Sequence, residues 1–554
     1  AADFARYYAE HALELERVNG ARFVPARLTV VTPPWNFPVA IPAGGVLAAL
    51  AAGSAVVLKP AGPAGRCGAV LAEALWAAGV PREVLAFVQV DEHGLGERLI
   101  ADPRVDRVIL TGAWETAKLF RSFRAEVPLL AETSGKNAMV VTPSADLDLA
   151  VKDLVASAFG HAGQKCSAAS LAVLVGPVAR SKRFLGQLVD AVGSLTVGPA
   201  TAATTQMGPV VEPAAGKLLE GLTELGPGER WLLKPKQLDD AGRLWSPGIR
   251  LGVRPGSAFH LTEYFGPVLG IMTAATLEDA IRLQNQVAYG LTAGLHSLEP
   301  AEIGTWLDGV HAGNLYVNRG TTGAIVGRQP FGGWKRSAVG PGTKAGGPDY
   351  LIGLGSWLPD GIAAAPEHPL SPPVKALTDL AELMDPDSGG FVRAGAASDE
   401  DAWRRRFGTV TELAGLLAER NLLRYRPIGV TVRVEADGAL RDTLRVLAAG
   451  LRAGALDTVS SAAPLPAELT ALLERLGVPV VVAAEPALTG RVRLVGGSAA
   501  ALLERADGNP DLAIWAGPAT TAGRLELLPF LHEQSVSITA HRFGTPNHLT
   551  DGLI

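Results

Sequence analysis

One cysteine stands in a segment rich in small and polar residues, FGHAGQKCSAAS, between Lys165 and Ser167. Cys166 is one of only two cysteines in the 554 residues. A thiolate is a strong nucleophile, and a site that lowers the thiol pKa or supplies a base makes it reactive. A free cysteine also packs well as a small buried hydrophobe. The segment alone leaves both interpretations open. The other thiol, Cys67, lies at the start of a predicted helix and is interpreted as structural.

A carboxylate stands between apolar segments as Glu132 in LLAETSGKNAMVV. Burying a carboxylate is costly unless the group is paired or put to use. An ordinary surface position is therefore the weaker interpretation, and we expect Glu132 to take part in chemistry.

Two consecutive glycines, Gly346 and Gly347, stand in TKAGGPDYL. Glycines let the backbone approach an anion closely, and successive N–H groups can form a small concavity of donors. The same letters also describe a plain Gly–Pro turn. An anion-binding loop is thus one of two interpretations of this segment.

Predicted strands and helices alternate from about residue 22 to residue 135. The strand-like runs are LTVVT, AVVL, LAFVQV and RVILTG. Such alternation predicts a parallel sheet with helices on both faces, and these sheets bind nucleotides at the carboxyl ends of their strands. A second α/β block, from about residue 137 to 327, has strand candidates LAVLV, VLGIMTA and NLYVN. The fold class is therefore α/β.

An uncharged run of twenty residues, Val39 to Leu58, is long enough to suggest a membrane span. Pro42, three glycines and the strand-like ending AVVL argue against a single lipid-exposed helix. The run instead predicts a core helix, a turn and a buried strand.

The last third of the chain contains segments similar in sequence to segments of the first third. A segment with five prolines between Leu358 and Leu377 predicts a linker, so a third domain begins near residue 375. Three segments of that domain match earlier ones in the same order, which predicts a degenerate repeat. The matched pairs are VLAALAAGSAVVLK with VLAAGLRAGALDTVS, EALWAAGVPREVLAFV with LERLGVPVVVA, and DPRVDRVILTGAWETAKLF with NPDLAIWAGPATTAGRLELL. This matching puts Ser460 at the position of Lys59.

Taken together, the motifs resemble the aldehyde dehydrogenase superfamily over roughly residues 20 to 357. They are PPWNFPVAIPAGG, VVLKP, LLAETSGKNAMVV, GQKCSAAS, TEYFGPVLG, NLYVNR and QPFGGWKRS, in the family's order. TKAGGPDYL is similar to the glutamate-semialdehyde (pyrroline-5-carboxylate) dehydrogenases. RLWSPGIRLGVRPGSAFHLTEYFGP and the third domain resemble the dehydrogenase half of bifunctional proline utilization A proteins.

The resemblance implies an aldehyde dehydrogenase fold with a Rossmann-like cofactor domain. The expected boundaries are 1–136 for the NAD-binding domain, 137–345 for the catalytic domain with the nucleophile, 346–374 for the anchor loop and Pro-rich linker, and 375–554 for a degenerate Rossmann-like C-terminal domain. Because no cysteine follows residue 166, the C-terminal domain is expected to be structural, such as a lid.

The resemblance also implies the catalytic roles. Cys166 is expected to be the nucleophile that forms a thiohemiacetal, and the flanking motifs now favour that role over packing. The Asn36 side chain and the Cys166 backbone N–H are expected to stabilise the oxyanion. Glu132 matches the general base that activates water for thioester hydrolysis, and this base argues against the CoA-acylating branch. No metal ligands are predicted.

The resemblance implies NAD as the cofactor, without a GxGxxG fingerprint. Lys59 is expected to bind the adenosine ribose, and Glu263 the nicotinamide ribose. The remaining expected cofactor contacts are Trp35, Thr111, Gly112, Ala113 and Phe265. Gly62 departs from the acidic residue that many relatives have three positions after the lysine, so NADP stays open as an alternative.

The same resemblance implies the substrate. Gly346 and Gly347, with the Ser167 hydroxyl, match residues that hold the α-carboxylate of L-glutamate γ-semialdehyde, and Phe37 is expected to line the substrate site. The predicted activity is oxidation of that semialdehyde to L-glutamate in proline catabolism. Two alternatives remain: a dehydrogenase for another acidic semialdehyde such as succinate semialdehyde, and a non-catalytic scaffold.

Composition restricts the partners. A net charge of −5 gives no overall basic field, so no nucleic acid is expected. Two cysteines and no secretory signal favour a cytoplasmic setting, and the resemblance implies a bacterial one. The chain begins within a helical pattern and without Met. We therefore expect it to be a piece of a longer protein. The resemblance to proline utilization A proteins implies an N-terminal, FAD-containing proline dehydrogenase domain, with membrane association of the full-length protein and homo-oligomer formation left open.

Overall fold

The computed structural model describes residues 1–554. Its α-helices are α1 (Ala2–Leu15), α2 (Ala40–Ala51), α3 (Gly65–Ala77), α4 (Leu95–Ala101), α5 (Trp114–Phe123), α6 (Leu147–Phe159), α7 (Lys182–Gly193), α8 (Gly216–Thr223), α9 (Ala258–Leu261), α10 (Leu277–Gln286), α11 (Pro300–Gly309), α12 (Pro372–Met384), α13 (Pro386–Ala402), α14 (Leu440–Ala453), α15 (Ala467–Arg475), α16 (Ala499–Arg505) and α17 (Gly523–Glu526). None of them is both long and apolar enough to cross a bilayer.

The strands are β1 (Gly20–Pro25), β2 (Leu28–Thr32), β3 (Ala55–Leu58), β4 (Leu85–Phe87), β5 (Arg107–Thr111), β6 (Leu129–Glu132), β7 (Asn137–Val141), β8 (Ala169–Val175), β9 (Arg230–Leu233), β10 (Gly248–Leu251), β11 (Val268–Ala274), β12 (Tyr289–Gly290), β13 (Thr292–His296), β14 (Asn314–Val317), β15 (Trp334–Lys335), β16 (Ala338–Val339), β17 (Gly355–Asp360), β18 (Thr411–Glu412), β19 (Glu419–Pro427), β20 (Val430–Val434), β21 (Leu456–Ser461), β22 (Val480–Val482), β23 (Gly490–Val495), β24 (Leu512–Trp515), β25 (Leu531–Thr539), β26 (His541–Arg542) and β27 (Thr545–Pro546).

The chain divides into two compact units, each built from separate stretches. The first unit comprises Ala1–Glu132, Ala338–Thr411 and Arg424–Glu533, and the second comprises Thr133–Ser337, Glu412–Leu423 and Gln534–Ile554. Both are α/β, as expected. The four domain boundaries given above stay a prediction.

In the first unit, a six-stranded sheet has the order β16-β6-β5-β2-β3-β4. The strands from β6 to β4 run parallel, and only the short β16 is antiparallel to its neighbour. The uncharged run from Val39 folds as the buried helix α2 and then strand β3. The predicted helix, turn and strand are therefore confirmed.

The C-terminal third supplies a second parallel sheet in the same unit, with the order β22-β21-β20-β23-β24. This order repeats β4-β3-β2-β5-β6 of the first sheet strand for strand. The predicted degenerate repeat is confirmed. It begins beyond Asp360, after a stretch with no regular structure that leads to α12.

Two details of the predicted repeat are wrong. The third sequence match paired LAIW with RVILT, but sheet order makes β24 the counterpart of β6 and β23 the counterpart of β5. The position of Lys59 is not Ser460 either. The residue after β4 donates its N–H to Leu58 O, and the residue after β22 donates to Ser461 O, so the counterpart of Lys59 is Ala462. Similar short apolar runs misled the alignment.

The second unit is built on the sheet β18-β19-β25-β14-β13-β7-β8-β11-β10-β9. Strands β7, β8, β11, β13 and β14 pair in parallel, and a core of buried Val, Leu and Ile side chains surrounds them. Strand β25 joins in parallel through Ser535 to Ile538 beside β14. The end of the chain therefore contributes to this sheet.

Candidate active site

Cys166 lies in the second unit, on the loop between α6 and β8. Cys166 forms no disulfide bond and is half-buried, and the following Ser167 is 5% exposed. The neighbouring Lys165 ammonium interacts electrostatically with Cys166. Burial lowers the pKa of Lys165, and the Cys166 thiolate raises it. A cation beside a thiol favours the thiolate form.

A buried amide clamps the cysteine loop. The Asn137 side chain, 2% exposed, donates to the carbonyl of Cys166 at 2.7 Å and to the carbonyl of Ala168 at 3.0 Å. Its Oδ1 accepts the N–H of Thr292 at 3.0 Å. The Thr321 hydroxyl donates to Ser167 O at 2.9 Å. These bonds hold the backbone from which the thiol extends.

The turn before the cysteine leaves no room for a side chain at Gly163. His161 and Ala162 have φ values of 61° and 51°, and Gly163 has 68°. A Cβ on Gly163 would lie 2.2 Å from the carbonyl oxygen of Gly266. Gly266 follows Phe265, which itself has a φ of 56°. The cysteine loop is therefore packed closely against the loop that carries the predicted cofactor residues Glu263 and Phe265.

Glu263 is held by backbone and by a hydroxyl. Its Oε1 accepts the N–H of Gly135 at 3.0 Å, and its carboxylate also accepts a hydrogen bond from the Ser134 side chain. Burial raises the pKa of the Glu263 carboxyl despite these bonds. In the second unit the structure thus gathers Cys166, Ser167, Glu263 and Phe265 on two neighbouring loops.

Sequence reasoning missed two residues of this group, Lys136 and Asn137. Lys136 is 3% exposed, its Nζ lies 4.2 Å from the centre of the Phe259 ring, and this nitrogen makes no hydrogen bond. Burial lowers the pKa of Lys136 to about 7, and the charge of Glu263 opposes that change. The signal was present: two polar residues directly precede an apolar strand in GKNAMVV.

In the first unit, the carboxyl ends of the parallel strands form one edge of the sheet. Asn36 follows β2 and is 5% exposed, with Trp35 and Phe37 half-buried on either side of it. Lys59 follows β3 and is 8% exposed. Parallel neighbours end at the same edge, so these groups share it.

The next two strands bring further predicted residues to that edge. Thr111 ends β5, and Glu132 ends β6 opposite it. The Gly112 N–H donates to Glu132 O at 3.1 Å, and Ala113 precedes the first residue of α5. The structure therefore brings the predicted cofactor segment 111–113 next to the predicted base.

The residues at this edge fit a dinucleotide. No side chain caps the first turn of α5, and such a turn offers N–H groups and a positive dipole end to a phosphate. A Cβ added to Gly62 would meet nothing within 4 Å. Glycine offers no carboxylate to a ribose hydroxyl and no charge that would repel a 2′-phosphate, so Gly62 does not discriminate between NAD and NADP.

The predicted anchor loop is engaged within the first unit. Gly346 has a φ of 68°, and its N–H donates to the Tyr8 hydroxyl of α1 at 2.8 Å. The Gly347 N–H donates to Lys344 O at 3.0 Å. Tyr8 is 1% exposed. A carboxylate that binds to Gly346 would therefore compete with the Tyr8 hydroxyl.

This competition gives a first prediction. Tyr8→Phe removes the hydroxyl that occupies the Gly346 N–H, so the KM for an α-carboxylate semialdehyde should fall about fivefold, the equivalent of one ordinary hydrogen bond of about 1 kcal/mol. Steady-state kinetics measures this. Tyr7→Phe is the matched control, with no change expected. An unchanged or higher KM in Tyr8→Phe would remove Gly346 from the carboxylate site.

Comparison with known proteins defines the class. A model of the aldehyde dehydrogenase family matches residues 1–352, and the chain belongs to this family. The predicted aldehyde dehydrogenase fold and the expectation of an enzyme of this kind are confirmed.

Within this family, the chain is similar to proteins named 1-pyrroline-5-carboxylate dehydrogenase. The chain is 37% identical over 371 residues to a 1-pyrroline-5-carboxylate dehydrogenase of Geobacillus thermodenitrificans, covering 64% of this chain and 71% of the relative. It is also similar to the structure of a Thermus 1-pyrroline-5-carboxylate dehydrogenase with bound NAD, at a TM-score of 0.60 and 34% identity, over 64% of this chain and 72% of that one.

A third likeness extends through the C-terminal third. The structure of proline utilization A (PutA) from Corynebacterium freiburgense matches with a TM-score of 0.87 and 45% identity, covering 98% of this chain and 53% of that chain. This chain therefore spans about half the length of that relative. The predicted likeness to the dehydrogenase part of such proteins is confirmed.

Proposed function

We propose that this chain oxidises L-glutamate γ-semialdehyde to L-glutamate with NAD. The observation that carries the proposal is the thiol of Cys166, exposed in part on a loop whose backbone is clamped by Asn137. The names of the relatives support the substrate class.

The nucleophilic step begins at the Cys166 thiolate. Its sulfur attacks the aldehyde carbon, the C–S bond forms, and the carbonyl oxygen becomes the oxyanion of a thiohemiacetal. The Asn36 amide and the Cys166 N–H donate hydrogen bonds to that oxygen. A single donor of this kind is worth on the order of 10² to 10³ in rate.

Collapse of the thiohemiacetal releases a hydride and leaves a thioester on Cys166. When bound, NAD would supply the acceptor for that hydride. Lys59 and Glu263 would hold its two riboses, Trp35 and Phe265 would border it, and the N–H groups of residues 111–113 would bind its pyrophosphate. NADP remains the alternative cofactor.

Glu132 then acts on water. Its carboxylate takes a proton as the water oxygen attacks the thioester carbon, and the C–S bond breaks. L-glutamate leaves, and Cys166 returns to the thiolate. Such general-base assistance contributes roughly 10² to 10⁴.

Ser167 and Phe37 are the proposed substrate contacts besides the Gly346–Gly347 loop. The Ser167 hydroxyl donates to the α-carboxylate in the ground state and transition state alike. Ser167→Ala should therefore raise KM about tenfold and leave kcat within about twofold. Initial rates over a range of semialdehyde concentrations measure this. Ser170→Ala, on β8, is the control. A fall in kcat at unchanged KM would contradict the anchor role.

A kinetic comparison of two semialdehydes tests the function. We expect kcat/KM with glutamate γ-semialdehyde and NAD to exceed that with succinate semialdehyde by at least tenfold, because only the former has an α-amino acid end. Preference for succinate semialdehyde would support the alternative substrate. Absence of NADH formation with either compound in the full-length protein would support the non-catalytic scaffold.

The wider setting follows from the likeness to PutA. We propose that the full-length protein carries an FAD-dependent proline dehydrogenase domain that forms the semialdehyde precursor, and that it works in the bacterial cytoplasm, with membrane association and homo-oligomer formation left open. The four-part domain division belongs to the same proposal. The C-terminal domain serves as a structural lid.

A further inference from the structure

A buried lysine outside the steps above interacts electrostatically with the proposed base. Lys344 is 3% exposed. The segment that leads to Lys344 begins at Ala338, which pairs with Glu132 of β6. Two residues later the segment still packs against β6, because a Cβ on Gly340 would lie 1.9 Å from Leu129 O. Of the charged groups, Glu132 acts most strongly on the Lys344 ammonium, ahead of Glu533.

The C-terminal domain fixes the backbone of this lysine. The Lys344 N–H donates to Oε2 of Glu533 at 2.7 Å, and Glu533, at the beginning of β25, is 7% exposed. The side chains of Glu533 and Asp349 are hydrogen-bonded to each other. Burial and the charge of Asp349 raise the pKa of Glu533.

Asp349 is the ionised member of this carboxyl pair. It is fully buried, and its oxygens accept from Arg406 at 2.6 Å and from the Tyr425 hydroxyl at 2.7 Å. Burial would raise its pKa, but the two guanidinium groups of Arg406 and Arg524 outweigh that effect and lower it to about 2. Glu533 is thus attached to a fixed ionic cluster.

Titratable and charged groups surround Lys344 and its carboxyl neighbours from several elements. They are Tyr7 and Tyr8 of α1, Glu132 of β6, Asp349 and Tyr350 of the turn before β17, Arg406 after α13, Tyr425 of β19, Arg491 of β23, Arg524 of α17 and Glu533 of β25. The charge of Glu132 also raises the pKa of the Tyr350 phenol, together with burial. Glu132 therefore interacts electrostatically with the Lys344 ammonium and with the Tyr350 phenol.

We infer that Lys344 is a positioning residue for Glu132: its ammonium keeps the carboxylate ionised for thioester hydrolysis, and Glu533 fixes the loop from which it extends. The inference rests on the proposed function, because it needs Glu132 to be the base. It gives the degenerate domain a part in the reaction although that domain has lost the cofactor lysine and the nucleophile.

The direction of the pH effect follows from charge. Burial lowers the pKa of Lys344 to about 8, so the ammonium is present below about pH 8 and is lost above it. Without the cation, Glu132 holds its proton to higher pH. The acidic limb of the hydrolysis rate therefore moves upward when Lys344 is replaced by an uncharged residue.

The test is the pH dependence of kcat in Lys344→Met. We expect the acidic limb to move up by about one pH unit, which makes kcat about tenfold lower than wild type on that limb, and we expect recovery toward wild type above pH 8. Lys344→Arg keeps the cation and should keep the limb. Lys375→Met, an exposed lysine on α12, is the matched control.

The outcomes separate this inference from the proposed function. If the wild-type protein does not oxidise the semialdehyde, the proposed function is overturned. An active wild type together with an unshifted limb in Lys344→Met, or with a loss equal at every pH, overturns only the role of Lys344. Should Lys344→Met not fold, a one-unit shift in Lys344→Arg would overturn it as well.

Discussion

Cys166→Ala should reduce NADH formation from glutamate γ-semialdehyde to below about 10⁻⁴ of the wild-type rate. The reaction proposed here has no route that avoids the C–S bond, and loss of a covalent nucleophile removes effects of this order in other enzymes. The measurement is absorbance of NADH at saturating semialdehyde, with NAD binding followed separately by protein fluorescence to show that the variant still folds and binds.

The chain offers a matched control for this experiment. Cys67 is the only other cysteine, is half-buried like Cys166, and lies on α3. Cys67→Ala should keep the wild-type rate. NADH formation that survives in Cys166→Ala, or that disappears in Cys67→Ala, would refute the assignment of the nucleophile.

Glu132→Gln should lower steady-state turnover by roughly 10² to 10⁴ and leave an initial burst of NADH. Hydride release precedes the step that needs the base, so the first turnover proceeds and the thioester then accumulates. Stopped-flow absorbance resolves the burst from the slow phase. Hydroxylamine, which attacks a thioester without a general base, should restore part of the turnover.

The control for this variant is Glu73→Gln, an exposed carboxylate on α3. It should show the wild-type time course. A Glu132→Gln protein with no burst, in which hydride release itself is blocked, would show that this carboxylate acts before the thioester forms and would contradict its place in the sequence of steps.

Local patterns were sufficient to predict much of the fold. The uncharged run from Val39 contained a proline, three glycines and a β-branched ending, and these predicted the helix α2 and strand β3 correctly. Sheet order is a different kind of information. LAIW and RVILT look alike as short apolar runs, and only the neighbours of each strand in the sheet show that β24 corresponds to β6.

Some residues of the candidate site could likewise be predicted from sequence motifs, and other contacts could not. Motifs identified the residue types, and the alternating pattern predicted a parallel sheet with a nucleotide site at the carboxyl ends of its strands. The structure places Lys59, Thr111 and Glu132 at that edge. The contacts between Tyr8 and Gly346 and between Lys344 and Glu533 join residues 338 and 189 positions apart, so no local pattern signals them. The clamp by Asn137 had a signal, since a polar residue at the start of a buried strand needs a partner.

Mass spectrometry of Glu132→Gln, quenched during the burst with glutamate γ-semialdehyde and NAD, tests the central claim most directly. The account predicts a glutamyl thioester on the peptide that contains Cys166, formed only when NAD is present, with Cys67 unmodified. An unmodified Cys166 peptide after a full burst of NADH, or an acyl group on any other residue, would contradict it.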